Sequence, residues 1–293
     1  MLEMAFELGI ILAFAAMLCW GFGDFLIQKS TRKLGDWETL FIITLVGAVF
    51  LFPFVYKDIP SVFSSWKNLG ILLLASFILF IAALLDFEAL KEGKLSVVEP
   101  LWSLEVPVSA TLAFFIMKES ISFNQALLIG ALIVGLILVS LRSYHFTKRI
   151  WLEKATFIAL AAAIVMGAAN FFVGFGARQT DALMMNWFLS VFIMLCSAIY
   201  LVKMGSMKKM FRDTIKYRKL VLPMTIVDNL AWIAFAFAMI LAPIAIAVAI
   251  SESYIIVAVL LGMFVNKEFL RTHQKIGLVL ALVAAITLAA TLG

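Results

Sequence analysis

A helix must run for about 20 apolar residues to cross a hydrocarbon core roughly 30 Å thick, and stretches of about that length follow one another along nearly this whole chain. Divided at clusters of charge, proline and glycine, the sequence holds ten: 8–28, 40–56, 68–90, 95–117, 124–141, 155–177, 182–202, 220–241, 243–265 and 275–292. Hydrophobic residues make up 65% of the 293 and charged ones 14%, against roughly 45–50% and about 25% in an ordinary globular protein. These numbers exclude a water-soluble enzyme, a disordered tail and a disulfide-stapled fold. The expectation is an all-α membrane protein of ten transmembrane helices, with connections too short to hold a separate catalytic domain. The first run carries Glu3 and Glu7 and lacks a basic leader, so it is expected to be a span and not a cleaved signal.

Charge outside the spans is lopsided. Of 23 Lys and Arg, only Lys57, Lys67, Lys118 and Arg178 fall on the side of the even-numbered connections and the termini. The other 19 cluster at the odd connections, seven of them between Lys203 and Lys219. Short cytoplasmic loops are enriched in Lys and Arg, which predicts a multi-pass protein of the cell membrane with both termini outside. The basic stretch suits anionic lipid better than nucleic acid, because it is short and borders the membrane.

An internal repeat organises the spans. LAFAAMLCWGFGDF at 12–25 returns 146 residues later as IALAAAIVMGAANF at 158–171, with Gly21 on Gly167 and Asp24 on Asn170. Further along, Lys118-Glu119 aligns with Lys267-Glu268 at an offset of 149. Two units are expected, 1–145 and 146–293, each of five helices. Because five is odd, the second unit must enter the membrane from the opposite side, giving two inverted five-helix repeats. Secondary transporters recur to this plan and bind substrate near the midplane between the repeats.

Trp20-Gly21, Phe87-Glu88-Ala89-Leu90, Val97-Val98-Glu99-Pro100, Pro107 and the two Lys-Glu helix ends, in that order across ten spans, resemble the EamA family of the drug/metabolite transporter superfamily. The resemblance covers almost the whole chain as two EamA modules. It implies a polytopic carrier that moves small metabolites, amino acids, amines or drugs, often outward. It also implies an aromatic residue where Glu88 stands, a proline where Ile256 stands, and cytoplasmic termini, the reverse of the charge count.

Seven of the 18 acidic residues lie within the spans: Asp24, Asp86, Glu88, Glu99, Glu105, Asp228 and Glu252. No Lys or Arg lies well inside any span. A charged side chain at mid-membrane costs about 2.5–3.5 kcal/mol on insertion scales. Acids without an internal cation therefore suggest a hydrated cavity, a bound proton or a cationic ligand. Glu105 and Glu252 fall near the middle of the fourth and ninth spans, which are equivalent in the repeat, and are the foremost candidates to bind a proton or substrate; structural hydrogen bonding between helices is the alternative. Asp24, Glu99 and Asp228 follow, with Asn170 at the repeat position of Asp24. Asp86 and Glu88, near a span end, are read as solvated.

Trp20, Trp102 and Trp232 each stand three or four residues from one of these acids, hence on a shared helix face. They are candidate pocket walls for an organic cation, or ordinary packing. Trp37, Trp66 and Trp151 read as interfacial anchors. Pro107 would kink the fourth span beside Glu105, and Gly21 and Gly167 are candidate hinges. The small stripe Gly277, Ala281, Ala285, Ala289, and Ala131 with Gly135, favours close helix packing, with a homodimer surface as the lesser alternative.

Cys19 and Cys196 lie in apolar runs, and His145 and His273 in connecting segments without partners at metal-ligand spacing, so neither metal nor cofactor is expected beyond a coupled proton. With no nucleophile-base set, an enzyme is not expected either. The function expected is a proton-coupled secondary transporter, working by alternating access, for a small metabolite, amino acid, amine or drug of cationic or aromatic character; export is what the resemblance implies. The alternatives are an uncoupled facilitator or exchanger, and a non-transporting scaffold or accessory subunit.

Overall fold

The computed structural model describes residues 2–92, 101–141, 154–265 and 269–290. All the regular structure among them is helical: α1 (Leu2–Leu34), α2 (Asp36–Val55), α3 (Ile59–Ser64), α4 (Trp66–Glu92), α5 (Glu105–Met117), α6 (Phe123–Ser140), α7 (Lys154–Gln179), α8 (Ala182–Lys203), α9 (Met207–Lys216), α10 (Arg218–Leu241), α11 (Ile244–Ser251), α12 (Tyr254–Val265) and α13 (Thr272–Ala290). Eight of these are long and apolar enough to cross a membrane, and 105–117 and 244–257 are shorter apolar helices. The chain is an all-α membrane protein. Its surface is apolar where a bilayer would lie, as at Ile199 (69% exposed) and Phe54 (60% exposed), while polar Ser76, Ser109 and Asn170 are buried.

Three features depart from the sequence expectation. The fourth and ninth spans are not single helices: the first is interrupted at Ser103-Leu104 and the second at Glu252-Ser253. The basic connection after α8 contains a helix of its own, α9, with Phe211 and Ile215 exposed beside its lysines. His273 is not in a connection but in the first turn of α13, buried, its Nε2 2.7 Å from the Leu141 carbonyl. Gln274 beside it donates to the Val139 carbonyl. These two side chains satisfy carbonyls at the end of α6 that helix geometry leaves without partners.

Local chemistry sets the boundaries. Gly35, at φ 116°, makes the one-residue turn from α1 into α2, a backbone state that side chains disfavour. Asp181 accepts from the Leu183 and Met184 N–H groups to start α8, and Ser122 with Gln125 forms a capping box for α6.

The helices pair by a regular rule. Helix α1 packs on α10 and α4 on α7; α2 packs on α8 and α6 on α13; α5 packs on α7, and α1 on α11 and α12. Exchanging each span for the one five places along turns every pair into a pair of the same set, with α2 on α8 and α6 on α13 mapping onto themselves. The small stripes of α6 and α13 meet each other inside the chain: a Cβ on Gly135 would lie 2.6 Å from the Ala281 nitrogen, and one on Gly277 2.7 Å from the Gly135 carbonyl. That surface is therefore occupied and offers no room for a second copy. Trp37 stacks on Tyr200 at 3.9 Å and is a packing residue, whereas Trp66, 85% exposed, is free to anchor at an interface. Trp151 lies outside the described residues.

Candidate functional site

The two interruptions come to the same place. Proline at 107 has no N–H for the Ser103 carbonyl, so the ladder fails there, and Glu105 opens α5 one residue past the turn. Since Pro107 lies in the first turn of α5, where N–H groups have no intrahelical acceptor, it starts a helix instead of kinking one. The second interruption has no proline. There the Ser253 hydroxyl donates to the Ala249 carbonyl and the Ser251 hydroxyl crosses to the Ala13 carbonyl of α1, and the Ile256 N–H bonds Ser253 one residue short of the α-helical partner. Hydroxyls that compete for helix carbonyls commonly bend helices.

Between the interruptions stands Asn170 of α7, 1% exposed. Its Nδ2 donates to Glu105 Oε2 at 3.2 Å and to Glu252 Oε1 at 3.0 Å. Both carboxyls are buried. Gly21 and Gly167 make this convergence sterically possible. A Cβ on Gly167 would sit 2.7 Å from the Glu105 carbonyl oxygen, and one on Gly21 2.5 Å from the Val257 Cβ. They let α7 and α1 press against the helices that begin after each interruption.

A cavity of about 570 Å³ adjoins this centre. It brings together Asp24, Glu105, Glu252, Asp228 and Asn170 with Trp20, Trp102, Trp232 and Gly21. Of the candidates, Glu99 lies outside the described residues, Gly167 packs behind the wall, and Pro107 is not on the lining. Asp86 is a correction: α4 continues to Glu92, so Asp86 faces the cavity instead of solvent, and its Oδ1 is buried without a partner. Glu88, on another face, is not part of the lining. Trp20 and Trp232 meet edge to face at 5.2 Å, each also against Phe235, forming an aromatic floor one turn from Asp24 and Asp228. Asn186, Asn229, Ser190 and Tyr254 also line the cavity. They carry no charge for a count of intramembrane charges to find; extending that count to amides would have caught both asparagines.

The cavity reaches from the middle of the bundle to Gln28, Phe87, Ser140 and Gln274, all near helix ends that share one face by connectivity. On the opposite face Arg178, at the end of α7, donates from Nε to the Met239 carbonyl at 2.6 Å and from a terminal nitrogen to the Ala242 carbonyl at 2.7 Å. It is also paired with Glu119, whose other oxygen accepts from the Ile244 N–H at 2.9 Å. Lys118, in the left-handed region at φ 58°, closes α5 and aims Glu119 at this junction. One ion pair thus ties the ends of α5, α7, α10 and α11 beneath Phe171, Phe235 and Met239, all fully buried. Among the described residues no group of three or more His, Cys, Asp or Glu is arranged to hold a metal ion.

Comparison with known proteins agrees with this architecture. The whole fold is similar to that of a solved crystal structure at a TM-score of 0.76, with 14% identity and coverage of 97% of this chain and 96% of the other. An uncharacterised protein of Methanocaldococcus jannaschii is 26% identical over 137 residues, which are 46% of this chain but 98% of that protein. Residues 7–141 match the EamA-like transporter family, so the first half of the chain is similar to that family.

Proposed function

We propose that the protein is a secondary transporter that exports a small organic cation by alternating access, exchanging it for protons at Glu105 and Glu252. The observation that carries this reading is the Glu105–Asn170–Glu252 centre, where two interrupted helices meet at the end of a cavity. Transporters build their sites from discontinuous helices at the junction of two repeats, and buried carboxyls cost too much to keep unless a cation or proton visits them. The pairing rule among helices supports two inverted repeats, 1–145 and 146–293, as does the half-length archaeal relative. The basic connections border the face onto which the cavity opens, so the charge count makes this an inward-facing state, with both termini outside and with Arg178–Glu119 closing the outer face. In the outward-facing state that junction separates and the cavity side closes.

The test is uptake of radiolabelled amines, amino acids and a lipophilic cation into liposomes containing the purified chain, with and without a pH gradient. Gradient-driven uptake that Glu105→Gln plus Glu252→Gln abolishes is the expected result. Uptake indifferent to both the gradient and the substitutions would overturn the coupling and leave an uncoupled facilitator; no uptake of any compound would favour a scaffold.

A further inference from the structure

The cavity's formal charge is one-sided. Among the described residues its lining includes no Lys, Arg or His. Its asparagines have already committed their N–H groups: Asn170 to the two glutamates, Asn186 to the Ala182 and Trp232 carbonyls, and Asn229 to the Ile43 and Thr225 carbonyls. The hydroxyl of Thr44 is likewise spent on helix carbonyls. What such groups still offer is oxygen, that is, acceptors. Among the described residues, two buried atoms of the lining, Asp86 Oδ1 and Trp102 Nε1, have no hydrogen-bond partner, and Trp102 is only 8% exposed.

The acids are also distributed. Glu105 and Glu252 meet between α5, α7 and α11. Asp228 stands on α10, which packs against α1, α2 and α8, next to Asn229 and across from Asn186. The indoles of Trp20 and Trp232, in contact with each other, line the same cavity.

Resting on the carrier reading above, we infer that the substrate is an organic dication, a short chain with a protonated N–H-bearing amine at each end. One ammonium sits at Glu105–Asn170–Glu252 and the other at Asp228, with the methylenes over the indoles. An anion finds no counter-charge here. A monoamine leaves one carboxylate site unfilled, and a quaternary ammonium has no hydrogens for the acceptor oxygens.

Calorimetric titration of the purified full chain with 1,4-diaminobutane, 1-aminobutane and 1,4-bis(trimethylammonio)butane tests this. The diamine should bind at least about tenfold tighter than either of the others. Asp228→Asn should remove that preference, while Asp228→Glu, which keeps the charge, should retain it. Equal binding of monoamine and diamine, a preference that survives Asp228→Asn, or no binding of any amine would overturn the dication. The carrier reading would fail separately, by absence of flux for every compound of the liposome panel.

Discussion

The two faces of the bundle handle buried charge in opposite ways. On the closed face the cation Arg178 meets Glu119 and two backbone carbonyls, and Glu119 in turn takes the Ile244 N–H, so both charges of this junction have partners in the chain. On the open face five acids share a cavity with no basic side chain in its described lining. The difference separates an ion pair satisfied within the chain from a cavity whose acids meet no basic side chain among its described lining.

Removing the site's charge is the largest way to break the contrast. Glu105→Gln plus Glu252→Gln should lower gradient-driven flux by about a hundredfold, equivalent to about 2.7 kcal/mol, in the liposome assay, with little loss of thermal stability because amides can still accept from Asn170. Unpairing the closed face should do the reverse. Arg178→Met leaves Glu119 facing apolar surroundings and two carbonyls without their donor, and hydrogen bonds to charged groups are worth about 1.5–3 kcal/mol each. Its melting temperature should fall, and thiol reagents applied from the terminal side should reach a cysteine placed at position 235.

Gly167→Val sharpens the comparison at the boundary between the faces. The added methyls collide with the Glu105 backbone, and overpacking costs about 1–3 kcal/mol. The displaced α5 should carry Glu105 away from Asn170, so flux and stability should fall together. The smallest effect is expected far from both faces: Ser122→Ala removes one cap from α6, about 1 kcal/mol, and should lower the melting temperature with transport intact.

Much of this arrangement was legible before any coordinates. Span lengths follow from the thickness of a bilayer, and acids inside spans are conspicuous because each is expensive. That is why Asp24, Glu105, Asp228 and Glu252 could be named together from their positions in the chain, and Asn170 through its repeat partner Asp24. The interruptions were less visible. Pro107 acts four residues upstream, at Ser103, and the second break comes from serine hydroxyls that resemble ordinary polar substitutions in a helix. Asp86 was misjudged because the end of α4 lies further on than the apolar run suggests. The Arg178 junction was missed because its partners are mostly backbone carbonyls, which leave no trace in the order of side chains.

The most direct test of a site that alternates between a proton and a cation is proton release on binding. Purified protein in lightly buffered detergent solution, mixed with 1,4-diaminobutane, should acidify the medium in proportion to the diamine bound, and Glu105→Gln plus Glu252→Gln should abolish that signal. Saturable diamine binding with no proton released by the unsubstituted protein would contradict the exchange.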